Sequence, residues 1–259
     1  MTGRERLAAL DQIGDEVRAC TRCRLHEGRT RAVPGEGDPD TEVVFVGEGP
    51  GMNEDREGRP FVGRAGGLLV RLLASIGWRR EDVFITNIVK CRPPDNRDPQ
   101  PDEIAACAPY LRRQLAVLDP AVVVTLGRHS MGAFMPGSRI GQVHGTSRPA
   151  DPETGARDAL VFAMYHPAAA LRTASIERES FEDVARIPSL LVGSRERRAA
   201  AGTASPPSTS APDSRPERDA RTIPTPDAAS NHPAPPPGSS PTPAAADPAA
   251  DDASQLTLF

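Results

Sequence analysis

Residues 43–51 read VVFVGEGPG. Four consecutive apolar residues, three of them β-branched, run into a glycine and a charged loop. A half-exposed strand would alternate polar and apolar positions, so this run indicates a strand buried on both faces. The pattern recurs at 82–89 (DVFITNIV), at 121–126 (AVVVTL, closed by Gly127) and at 160–165 (LVFAMY). Helical periodicity fills the intervals at 65–76 (AGGLLVRLLASI) and 102–118. It appears again before the first strand at 4–19, where Leu7, Leu10, Ile13 and Val17 share one stripe, and after the last at 176–192. Apolar strands alternating with helices predict an α/β domain of three layers, α/β/α, with a central four-stranded parallel sheet. No internal repeat is present.

The 259 residues divide near position 195. Residues 1–195 suffice for one globular domain with a sizeable core. From 196 to 254 the chain is Ala, Pro, Ser, Thr and Asp; 13 of the 28 prolines lie beyond 200, and no aromatic residue intervenes before Phe259. Such a composition predicts a disordered tail, because it buries too little apolar surface to offset the entropy of ordering. The tail beyond 200 holds three arginines against seven acidic residues and so carries the whole net charge of −4. The domain itself is balanced, and overall charge does not announce a nucleic-acid partner. No apolar run approaches the ~20 residues of a membrane span. The first ten residues, MTGRERLAAL, lack the apolar core of a secretory signal, which predicts a reducing, cytoplasmic setting.

In open parallel sheets, ligands bind beyond the carboxyl ends of the strands. Here those ends run into Gly47-Glu48-Gly49-Pro50-Gly51, Asn87, Gly127-Arg128-His129 and His166-Pro167. The glycine loop is not a dinucleotide fingerprint, because Met52 stands where the third glycine of G-x-G-x-x-G belongs. Its glycines are compatible with a plain tight turn, but an ionisable Glu48 at a strand end must be solvated, paired or used. Asn87 interrupts an apolar strand. It is either a buried amide satisfied by backbone or a reader of a ring that places a carbonyl beside an N–H, as uracil does. His166 follows a strand and precedes a proline, whereas His26, His129 and His144 read as surface or structural residues. Phe61, in GRPFVGRAGG, is either core or a ring face for base stacking, worth ~1–3 kcal/mol per base.

The four cysteines, Cys20, Cys23, Cys91 and Cys107, are the whole complement of the chain. In a reducing setting a Cys-x-x-Cys followed by two distant cysteines points to a four-thiolate metal site rather than to disulfides. Spacing alone leaves zinc and iron–sulfur open, although a zinc ribbon would repeat the Cys-x-x-Cys in its second half.

Three long strings now coincide: GEGPGMNEDREGRPFVGRAGGLL at 47–69, FITNIVKCRPPDNRDP at 84–99 and YHPAAALR at 165–172. Together they closely resemble the iron–sulfur uracil-DNA glycosylases of family 4, in order, over roughly residues 15–192. The resemblance implies a [4Fe–4S] cluster on Cys20, Cys23, Cys91 and Cys107 and excision of uracil from DNA in base excision repair. It implies that Phe61 stacks on a flipped uracil, that Asn87 and His166 contact the ring, and that Gly47 and Gly49 lie against it. Glu48 would belong to the water-activating motif; family 1 enzymes use an aspartate where this chain has Gly49. Leu171, or Ala170 in its place, would press into the minor groove, and Arg172 would pair with a phosphate. No histidine and no insertion lie between Ile88 and Ile104, which separates the chain from the variant subgroup that traps DNA covalently. The competing reading is a non-catalytic iron–sulfur protein for damage recognition or redox sensing; the joint presence of Glu48, Phe61, Asn87 and His166 opposes it.

The chain ends Gln255-Leu256-Thr257-Leu258-Phe259. A polar tail has no folding reason to carry three large apolar residues, and exposed apolar clusters suggest a partner. The pentapeptide resembles the motif by which bacterial proteins bind the sliding clamp. The expectation is therefore a monomer, associated with the nucleoid and tethered to the replication clamp through residues 255–259.

Overall fold

A computed structural model describes residues 1–203. In chain order the helices are α1 (Gly3–Arg18), α2 (Leu25–Gly28), α3 (Met52–Glu57), α4 (Arg64–Ser75), α5 (Pro101–Leu118), α6 (Arg128–Phe134), α7 (Ile140–Val143), α8 (Pro167–Ala170), α9 (Ala174–Val184) and α10 (Ile187–Thr203). The strands are β1 (Glu36–Gly37), β2 (Val43–Gly47), β3 (Phe84–Asn87), β4 (Val122–Leu126), β5 (Ser147–Pro149) and β6 (Leu160–Met164).

They form one six-stranded sheet in the order β1-β3-β2-β4-β6-β5. β3, β2, β4 and β6 run parallel, while β1 and β5 pair antiparallel on the two edges. The sheet is therefore mixed and six-stranded, not the four-stranded parallel sheet expected. The two additional strands are two and three residues long, and β5 is exposed throughout. They are held by pairing to a neighbour and leave no hydrophobic period to read.

The pleat sorts the central strands onto two cores. Val43, Phe45, Ile85, Val122, Val124, Phe162 and Met164 face Leu68, Leu69, Leu72 and Leu73 of α4, Val184 of α9 and Leu191 of α10. Val44, Val46, Phe84, Val123, Val161 and Ala163 face Leu10 of α1, Leu111, Leu115 and Leu118 of α5, and Met131 and Phe134 of α6. Each fully buried leucine contributes about 1.5–3 kcal/mol. A third cluster joins Ile13 and Val17 of α1 and Leu25 of α2 to Val89, Cys91, Cys107 and Tyr110.

The ends of the helices follow from local chemistry. Thr2 caps α1 through a reciprocal box: its hydroxyl accepts from the Glu5 amide, and the Glu5 carboxylate accepts from the Thr2 amide. Pro101 opens α5 at a position whose N–H has no helical partner in any case. The single helix expected over 176–192 is two helices. Pro188 lacks the N–H that would bond the carbonyl of Val184, so α9 stops and α10 restarts around it. α10 then continues to Thr203, past the boundary expected at 195. The remainder of the expected tail, 204–254, and the pentapeptide 255–259 lie outside the described residues. Among the described residues, no helix is long and apolar enough to cross a membrane.

Candidate active site

β2 and β3 end side by side, with Gly47 in register with Asn87. The segments that leave them stay paired: the Ile88 amide donates to Gly47 O (3.0 Å) and the Val89 amide to Glu48 O (3.1 Å). His166 leaves β6 as the first residue before α8, and Gly127 leaves β4 directly before α6. These carboxyl ends border a cavity of about 450 Å³, whose walls include Glu48, Gly49, Pro50, Phe61, Asn87 and His166.

Asn87 is 1% exposed, and neither Oδ1 nor Nδ2 of its side chain has a hydrogen-bond partner. Leaving a buried polar group unsatisfied costs about 1–3 kcal/mol, so such a pair in a cavity wall indicates a site built for a ligand with the complementary edge. Its carbonyl, by contrast, is fixed: the Lys90 ammonium, itself fully buried, donates to Asn87 O (2.8 Å), to Gln114 Oε1 (2.7 Å) and to Thr86 Oγ1. Burial pulls Lys90 down to about 8. Gly47 makes the approach possible, because a β-carbon there would lie 2.4 Å from Asn87 Oδ1 and 2.6 Å from Phe61 Cζ.

The Phe61 ring stands 5.7 Å from that of His166, tilted by 30°. Its backbone has φ = 50°, the left-handed region that a bulky residue seldom adopts. Three residues hold it there. The Arg80 guanidinium donates to Phe61 O (2.9 Å) and to Pro60 O, and Glu54 Oε1 accepts from the amides of Val62 (3.0 Å) and Gly63 (2.9 Å). Gly66 of α4 lies so close that a β-carbon would sit 1.8 Å from Phe61 O. Strain stored at one residue and opposed by its surroundings is characteristic of a ligand clamp.

His166 Nδ1 accepts from the Ala168 amide (3.1 Å), so the neutral ring carries its proton on Nε2. Burial, aided by the nearby Arg172, lowers its pKa to about 4. At neutral pH it is thus an uncharged donor. Glu48 is held above the usual carboxylate range by burial, and Asp98 adds to that shift; His129 and Arg128 oppose it. Leu171 is half-buried against the α4-side core and Arg172 is exposed at the cavity wall, while Ala170 is 1% exposed in the core.

Cys91 and Cys107 are buried, and Cys20 and Cys23 pack against the same cluster. All four thiols are free, and three of the sulfurs accept hydrogen bonds: Cys91 from Arg29 Nη1 (3.1 Å), Cys107 from the Lys90 amide (3.3 Å) and Cys20 from the Arg22 amide (3.5 Å). Burial pushes the Cys107 thiol up to about 11 and raises Cys23 and Cys91. Among the described residues, the only trio of potential ligand atoms within 4.8 Å of one another is Glu48, Asp98 and His129.

Sequence reasoning had not named several residues of this region. Glu54 and Arg80 shape the Phe61 loop, Lys90 fixes Asn87, and Asp98 lies close to Glu48 through His129. His129, read from the sequence as surface or structural, lies 3.2 Å from Asp98 and 3.8 Å from Glu48. A histidine two residues past a strand-ending glycine was the available signal.

A mixed α/β sheet with a cavity at the carboxyl ends of its parallel strands, and an unpartnered amide in its wall, places the chain among α/β proteins that bind a ligand at the strand ends. A family model described as "Uracil DNA glycosylase superfamily" matches residues 34–186. The type-4 uracil-DNA glycosylase of Saccharolobus solfataricus is 50% identical over 188 residues, 70% of this chain and 86% of that protein. Those of Sulfurisphaera tokodaii (48% over 192 residues, 71% and 86%) and Thermotoga maritima (45% over 184 residues, 70% and 94%) are similar throughout. The chain belongs to the type-4 uracil-DNA glycosylases.

Proposed function

We infer that the chain excises uracil from DNA, as a step of DNA repair, by hydrolysing the N-glycosidic bond of a nucleotide flipped into the cavity. The observation that carries this reading is the buried, unpartnered amide of Asn87 in the wall of the cavity that Phe61 and His166 also line. Oδ1 accepts from uracil N3–H and Nδ2 donates to O4, while Phe61 stacks on the ring and Gly47 and Gly49 leave room for it. Bond cleavage leaves positive charge on the sugar and negative charge on the base. The neutral His166 donates from Nε2 to O2 as that charge develops and needs no reorganisation to do so. Glu48, ionised, orients water towards C1′ and stabilises the sugar cation. Arg172 neutralises a flanking phosphate, and Leu171 fills the space the base has left.

Cys20, Cys23, Cys91 and Cys107 fit a [4Fe–4S] cluster: four free thiols gathered at one buried cluster, with donors aimed at three of the sulfurs. Bound there, the cluster supplies a cross-link among the segment after α1, the exit of β3 and α5. Gln255, Leu256, Leu258 and Phe259 bind the sliding clamp of a bacterial replisome; the support is the motif alone, and deletion of 255–259 abolishes capture by the clamp without altering cleavage of short oligonucleotides. The enzyme itself is tested by alkaline incision of a uracil-containing duplex, with Asn87→Ala and His166→Ala as controls. Abasic product from the wild type alone is expected; none from the holo wild type overturns the reading.

A further inference from the structure

We propose that His129 is a positioning residue for hydrolysis: it bridges Asp98 and Glu48 and holds the Glu48 carboxylate ionised and aimed at the attacking water. The inference rests on the assignment of Glu48 to that water.

The geometry is a short relay. α6 begins at Arg128, directly after Gly127, and presents His129 towards the loop that leaves β2. His129 Nε2 lies 3.2 Å from Asp98 Oδ1 and 3.8 Å from Glu48 Oε2. That nitrogen is shielded from solvent and has no well-aligned hydrogen-bond partner, so its approach to the two carboxylates is electrostatic. Asp98 is itself anchored, since Arg128 Nη2 donates to its Oδ2 at 2.5 Å. Asp98 comes from the segment after β3, so the relay joins the exits of three strands.

The charges facing Glu48 explain what the imidazole does. Burial and Asp98 both oppose ionisation of Glu48, while His129 and Arg128, on α6, favour it. Arg128 is engaged by Asp98 and Arg97 by the buried Glu103. Glu54, on α3, has one carboxylate oxygen tied to the Phe61 loop, and Arg172 lies beyond His166 on the same cavity wall. His129, when protonated, places a cation between the two carboxylates, with Nε2 3.8 Å from Glu48 Oε2 and 3.2 Å from Asp98 Oδ1. A cation ~4 Å from a carboxylate at an effective dielectric of ~20 interacts strongly enough to move its titration by a unit or more.

The test is the pH dependence of single-turnover uracil release by the cluster-loaded protein, for wild type, His129→Gln, His129→Lys and Glu48→Gln. His129→Gln is expected to move the acid limb up by about one pH unit, so that the rate falls about tenfold on that limb and little on the plateau above it, with the affinity for uracil-containing DNA unchanged. His129→Lys, which keeps a cation at the site, is expected to restore most of the acid limb. Adding His129→Gln to Glu48→Gln is expected to change nothing further. If Glu48→Gln is slow while His129→Gln follows the wild-type profile, or falls by one factor at every pH, the relay is wrong and Glu48 keeps its role. If Glu48→Gln itself behaves as wild type, the assignment of Glu48 fails, and the relay with it.

Discussion

Replacing Asn87 by alanine separates a ligand-reading amide from a structural one. In the structure both polar atoms of the side chain are buried and unpartnered. Removing them relieves a desolvation penalty of about 1–3 kcal/mol. The lost volume opens onto an existing cavity, so the void penalty is small. The net expectation is a domain more stable by about 1–3 kcal/mol, a rise in Tm of roughly 2–10 °C at this size. The main-chain bond from Lys90 to Asn87 O is untouched. Activity should move the opposite way. Two hydrogen bonds formed with the uracil anion as it develops contribute about 3–4 kcal/mol to the transition state, or ~10²–10³-fold in kcat/KM. The assays are a thermal melt of the holo protein and steady-state release of uracil from a short oligonucleotide. A fall in Tm of several degrees, with a loss of activity no greater than the loss of folded protein, would refute the reasoning and return Asn87 to the core.

Three further outcomes follow from the same geometry. His166 has a folded pKa of about 4 against about 6.5 unfolded, so the unfolded chain takes up the proton first and stability falls as pH drops through that window, by at most about 3 kcal/mol; melts of His166→Asn between these pH values should show a flatter dependence. Lys90→Met deprives Gln114 Oε1, Thr86 Oγ1 and Asn87 O of a buried cation. It should cost about 1–3 kcal/mol in a denaturant titration and raise KM through a loosened Asn87. Cys107→Ser should abolish the visible absorbance of the purified protein and lower its Tm, because one anchor of the cross-link is lost.

The central sheet was legible because Val43–Val46 and Val122–Leu126 are buried on both faces, which leaves a continuous apolar run in the sequence. The edge strands were not. Glu36–Gly37 is stabilised by pairing with β3 and by the ion pairs of Glu36 with Arg59 and Arg80, which are contacts distant in sequence. The division of 176–192 into α9 and α10 was signalled by Pro188, but the apolar residues on either side keep the same helical phase and conceal it. At the site, Glu48, Asn87 and His166 stood out because chemistry-bearing residues at strand ends violate the apolar pattern. Lys90 and His129 did not. Lys90 continues a strand into a loop, where a lysine ordinarily reaches solvent, and its burial depends on Gln114 from α5. His129 acquires meaning only when α6 brings it to Asp98 and Glu48. The φ of Phe61 is likewise imposed from outside its own segment, by Arg80 and Glu54.

The most direct measurement is the chromatographic detection of free base after one turnover of the holo protein on matched oligonucleotides carrying a single uracil, cytosine or thymine. The account predicts free uracil from the first alone, and none from Asn87→Ala on the same time scale. Release of no base at all, or equal release of uracil by wild type and Asn87→Ala, would contradict it.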